Sequence, residues 1–191
     1  MALPSIILLL AFVGGVFVGT TALGVVLVGT EQGEPLAGYF VAGAGLIAAL
    51  AAWLHWLRFK VPITIAAGAA ALSATAIGLA LSALAPLDID KGDVALWLTF
   101  VAGLAVFAFA MRWDLQDPAR TTRRSDVAFW LHLLAAPMIA HPIFATLGVV
   151  GGSDIGIGKA IAVLAIYIVF GIVALIVDRR ALLVSALIYV L

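Results

Sequence analysis

Charge is absent from the long apolar runs of this chain, and that segregation constrains the fold more than any other feature. The ten Lys and Arg and ten Asp and Glu residues all fall between the runs, none inside one. A charge at the centre of a membrane helix costs at least about 2.5–3.5 kcal/mol on insertion scales, so the exclusion has a physical reason. Soluble domains carry roughly 25% charged and 45–50% apolar residues. Here the fractions are 10% and 65%, with a mean hydropathy of +1.27. The expected fold is an all-α, polytopic transmembrane helical bundle, with residues 1–191 forming one domain.

Taken in order, the runs place complete spans at about 3–28, 36–57, 62–84, 94–111, 127–150 and 160–177. A seventh run starts at Ala181 and reaches Leu191. Eleven helical residues cover only about 16 Å of a ~30 Å hydrocarbon core, so this span is incomplete or the native chain extends further. The opening Met1-Ala2-Leu3-Pro4 lacks the positive n-region of a secretory signal, and the first run is read as a retained span. That span has a small-residue face of Gly14, Gly15, Gly19 and Gly24, in which Gly15-xxx-Gly19 allows another helix, of this chain or of a partner, to approach closely. A turn is expected at 29–35 (GTEQGEP). The third span begins with Pro62 and is dominated by Ala, Gly, Ser and Thr, a composition better suited to the bundle centre than to lipid.

Lys and Arg number 0, 2, 1, 4, 1 and 2 through the six connections in order. Positive residues remain cytoplasmic, so 58–60, 112–126 and 178–180 are expected inside, with the N-terminus expected outside. Trp53, Trp56, Trp113 and Trp130 lie at the basic ends, as interface anchors do, and Trp97 at the other. Trp53-Leu54-His55 and Trp130-Leu131-His132 form a faint internal echo, compatible with a repeated hairpin.

Several function classes fall away. Net charge is zero, leaving no global basic field for nucleic acid, and the absence of cysteine removes disulfides, thiolate metal sites and thiol nucleophiles. Asp88, Asp90 and Asp93 lack the further ligands and the twelfth-position Glu of a calcium loop. The glycine run from Gly151 to Lys159 has Ser153 where a phosphate loop needs Gly, and Ala160 where it needs Ser or Thr. No connection exceeds about fifteen residues, so no soluble domain is available to carry a cleft. No catalytic residue, metal site or cofactor is identified.

The polar groups within the runs are His55, His132, His141, Tyr167 and scattered Ser and Thr. His141 sits past the midplane of the fifth span between Pro137 and Pro142. Each proline strands a backbone carbonyl, so this stretch is expected to face protein or water, as a kinked structural helix or as the lining of a proton or solute path. His132, nine residues earlier, falls on the opposite side of an unbent helix, about 13 Å away, so the two cannot share a metal ion. His55 and His132 suit an axial haem pair only if the second and fifth spans touch; next to tryptophans they read more simply as headgroup-level residues. Ser125 or Asp126 is expected to cap the fifth span, and Arg120, Arg123 and Arg124 are candidates for anionic headgroups or a partner.

The run Arg123-Arg124-Ser125-Asp126-Val127-Ala128-Phe129-Trp130-Leu131-His132-Leu133-Leu134-Ala135-Ala136-Pro137, followed by His141-Pro142, resembles a family of multipass membrane proteins of proteobacteria. The resemblance covers spans two to seven and implies a bacterial inner-membrane bundle whose relatives extend past Leu191. It carries no activity to transfer. Three classes of function remain: a non-catalytic subunit or assembly protein that packs against a membrane partner, a small-solute or proton-linked transporter or channel along the fifth span, and a haem-binding or redox membrane protein.

Overall fold

A computed structural model describes residues 2–28, 30–87, 89–149 and 156–176. It contains six helices and no strand among those residues: α1 (Ala2–Val28), α2 (Thr30–Phe59), α3 (Ile63–Ala83), α4 (Lys91–Leu115), α5 (Arg123–Thr146) and α6 (Ile157–Ile176). All six are long and apolar enough to cross a membrane. The expected seventh span lies outside the described residues, as do residues 151–155 of the glycine run. The chain divides into two compact units, Met1–Ala95 and Leu96–Leu191.

In the first unit, α2 and α3 are joined through backbone-close packing. Gly38 lies against Ser82 and the Gly78 carbonyl, and Gly45 lies against Thr75 and the Ala71 carbonyl. Farther along, Gly68 faces Ala52. These contacts step by sevens along both helices in opposite directions, so the pair is antiparallel with a heptad register. In lipid there is little hydrophobic gain from bringing helices together, and small residues let van der Waals contact do the work. The composition of the third span thus reflects its close fit to α2; burial is deepest in α5, which is more than half buried while every other span is under a third.

Helix α1 packs on α2 through larger side chains. Phe12 meets His55 and Gly24 meets Phe40, so α1 and α2 are antiparallel. This bears on the expected topology. Two antiparallel crossings return the chain to its starting side, so the N-terminus shares a side with 58–60 and cannot be outside while that connection is inside.

Helix ends differ from the expected spans at the charged positions. The expected turn at 29–35 is largely helical, since α2 begins at Thr30. Helix α2 is closed by the residue after it, Lys60, whose φ of 53° is left-handed and whose N–H bonds the Trp56 carbonyl. Asp90 caps α4 by accepting from the N–H groups of Gly92 and Asp93. Helix α5 closes on Gly148 at φ 77°, where Gly148 N–H bonds Ala145 O and Val149 N–H bonds Phe144 O. That is the six-to-one and five-to-two pattern for which glycine is suited.

Within the second unit, α4 meets α5 where Gly103 lies under Met138 and Ile139. Ala174 of α6 packs with Ala136, joined by Phe107 and Val173, and the Phe144 and Phe170 rings meet edge to face at 6.3 Å. Outward side chains are apolar, with Leu175 77% and Ile176 79% exposed, as a lipid-facing surface requires.

Candidate functional site

The most polar constellation sits where α4 hands the chain to α5. Helix α4 continues past Met111, the expected end, to Leu115, and so carries Asp114 on its last turn. His132 is fully buried, and its Nε2 lies 2.7 Å from Asp114 Oδ2, a geometry in which the ring N–H donates to the carboxylate. Phe107 closes one side of the imidazole edge to face at 5.2 Å. A buried imidazole bonded to a carboxylate inside an apolar helix pair is an expensive arrangement for a membrane segment, and such pairs mark function or helix specification. His132 is therefore enclosed by protein and bonded to a carboxylate rather than turned out toward lipid headgroups. Sequence alone hides Asp114, because Arg112 already ends the apolar run at Met111.

The seven residues between α4 and α5 are organised by Asp117. Its carboxylate accepts from the Thr121 N–H, the Thr122 N–H and the Thr122 hydroxyl, at 3.3, 2.8 and 2.7 Å. The Thr122 hydroxyl holds the Asp117 carboxyl below the usual carboxylate range, against an upward push from burial, with backbone N–H groups of Thr122, Thr121 and Ser125 assisting. The cap of α5 is Thr122, whose hydroxyl also accepts from the Arg124 N–H, rather than Ser125 or Asp126. Ser125 is buried and Asp126 is an exposed acid in the first turn. Arg112, Arg120, Arg123 and Arg124 are all exposed.

The remaining candidates are dispersed. Helix α5 runs unbroken through both prolines; Pro142 is buried, Pro137 exposed and His141 half-buried. Pro137 thus does not share the inward environment of Pro142. His55 belongs to the first unit, where its Nδ1 and the Thr64 hydroxyl lie 3.2 Å apart and Phe59 stacks obliquely at 4.6 Å. His55 and His132, weighed as an axial pair, therefore sit in different units, each bonded to a protein group. Among the described residues no group of three His, Asp or Glu side chains is placed to hold a metal ion.

Gly14, Gly15 and Gly19 of α1 behave differently from the glycines on the α2–α3 seam. A Cβ added at Gly14, Gly15 or Gly19 would meet nothing within 4 Å, and all three residues are exposed. Gly14 also borders an apolar groove of about 290 Å³ between α1 and α3, lined by Leu10, Val13, Phe17, Ala71 and Ala74 and floored by Ala48.

These features define a helical membrane protein. Compared with known proteins, the chain matches no family model, no curated protein and no solved structure. Function therefore rests on the residues themselves.

Proposed function

We propose that this chain is a non-catalytic subunit or assembly protein of the bacterial inner membrane, acting through helix packing against a membrane partner or a second copy of itself. One observation carries the reading: the seam glycines Gly38, Gly45, Gly68 and Gly78 of α2 and α3 meet the opposing helix, whereas Gly14, Gly15 and Gly19 form a run on α1 that is exposed, with open space where a helix would fit. Small-residue faces are how membrane helices associate closely, and this one is vacant within its own unit. Mass measurement of the protein extracted from its own membranes in mild detergent tests it. The expected particle exceeds one chain, and Gly15→Leu with Gly19→Leu reduces it to a monomer. A wild-type monomer overturns the proposal.

A second reading, a small-solute or proton-linked transporter or channel along α5, draws support from buried His132 and its bond to Asp114. It expects proton-coupled flux in proteoliposomes that His132→Gln and Asp114→Asn each abolish. Flux unchanged in both variants would remove it.

A further inference from the structure

By sequence the connection at 112–126 is nearly balanced, with four arginines against Asp114, Asp117 and Asp126. Folding sorts these charges. Asp114 turns to buried His132, and Asp117 is 5% exposed with its carboxylate bonded to Thr121 and Thr122. Arg112, Arg120, Arg123 and Arg124 stay exposed, accompanied by the exposed Asp126. The outward surface is thus four cations and one anion.

Three of those cations occupy positions that local physics disfavours. Arg123 and Arg124 stand in the first turn of α5, where the helix dipole favours anions. Arg120 adopts φ 55°, a conformation that costs any residue with a Cβ. Orienting the chain in a membrane needs positive charge somewhere on this connection, but not at these positions. A local rule broken three times at one exposed place points to binding. The backbone of the α5 start contributes little to such binding, because Asp117 and Thr122 already occupy the N–H groups of Thr121, Thr122 and Arg124. The ligand must be recognised by guanidinium forks, which pair with phosphate bidentately. Half-buried Trp113 and Trp130 flank the arginines and mark the depth of lipid headgroups.

We infer that the 112–126 connection is a binding surface for the phosphate headgroups of anionic phospholipids in the leaflet it borders. The surface works by charge sorting: the inward carboxylates of Asp114 and Asp117 order the connection, and the outward arginines hold the phosphates.

The test is native mass spectrometry of the full chain taken from discs of phosphatidylcholine containing one-fifth phosphatidylglycerol. Wild type is expected to retain phosphatidylglycerol selectively, and the triple variant R120Q/R123Q/R124Q to lose about a hundredfold in apparent affinity. The single variants R120Q and R123Q are each expected to lose severalfold, which keeps the test open should the triple variant fail to assemble. K91Q/K159Q, which removes exposed positive charge elsewhere, is expected to match wild type. Retention unaffected by the arginine variants, equal loss in K91Q/K159Q, or equal stabilisation of the protein by inorganic phosphate alone would overturn the inference.

Discussion

The α2–α3 and α4–α5 hairpins solve one problem by different means. Each places an imidazole beside a polar side chain of its neighbour close to a basic connection: His55 with Thr64 in the first, His132 with Asp114 in the second. Along the rest of α2–α3, contact is between backbones, with Gly38, Gly45 and Gly78 pressed onto the opposing helix. Along α4–α5, Gly103 is the only glycine so enclosed among the described residues, and larger groups such as Phe107, Leu131 and Ile139 fill the space. Without a hydrophobic drive, a helix pair holds through close approach or through buried polar partners. The first hairpin relies on shape and the second adds electrostatics, so they are expected to fail differently.

The largest effect is expected at Gly78. A Cβ there would sit 2.5 Å from the Gly38 carbonyl oxygen and 2.9 Å from the Ala42 nitrogen, both backbone. Gly78→Ile should cost about 3 kcal/mol or more in a denaturant titration in micelles. Gly43→Ala, exposed and with nothing within 4 Å, should change stability by under about 0.5 kcal/mol. Equal responses would erase the contrast between closed and open glycines.

Next comes the polar pair. His132→Leu leaves the Asp114 carboxylate without the ring and should destabilise by about 2–3 kcal/mol. The double variant H132L/D114L should recover more than half of that loss, because replacing both partners removes the desolvation penalty. Additive losses would mean that the pair does not act as a pair.

A smaller, local effect concerns Asp117. Its folded-state pKa is depressed, so its contribution is present above the ordinary carboxylate range and vanishes as pH falls through the folded value. Amide exchange at Thr121 and Thr122, corrected for intrinsic rates, should accelerate on acidification. Asp117→Ala should show the fast rates already at neutral pH. Protection that ignores pH would contradict the clamp.

The smallest change is at Lys60. Glycine relieves the left-handed φ of 53° but removes the ammonium lying 5.2 Å from the Trp56 ring. Lys60→Gly should be stabilising by under about 1 kcal/mol, and a destabilisation of that size would give the cation the larger share.

Span existence was legible in the sequence because hydropathy and the exclusion of charge report directly on crossing lipid. At span ends the same rule misleads. Its charge places Asp114 in a connection by sequence, yet α4 extends one more turn and the carboxylate accepts a hydrogen bond from buried His132. Thr30 to Pro35 looked like a turn because it contains two acids, a glycine and a proline, yet it is helix. The cap of α5 moved to Thr122 because Asp117, five residues upstream, anchors that threonine. Such pairings depend on tertiary proximity. Arg123 and Arg124 stood out by sequence, but the inward turn of their neighbouring carboxylates did not.

The seven-residue stepping of the α2–α3 contacts has a consequence for how this protein can evolve. Adding one residue inside either helix turns everything beyond it by 100° and swaps small side chains for bulky ones along the seam. Insertions should therefore be tolerated in the connections but purged from the interiors of these two helices, whose lengths are inherited together.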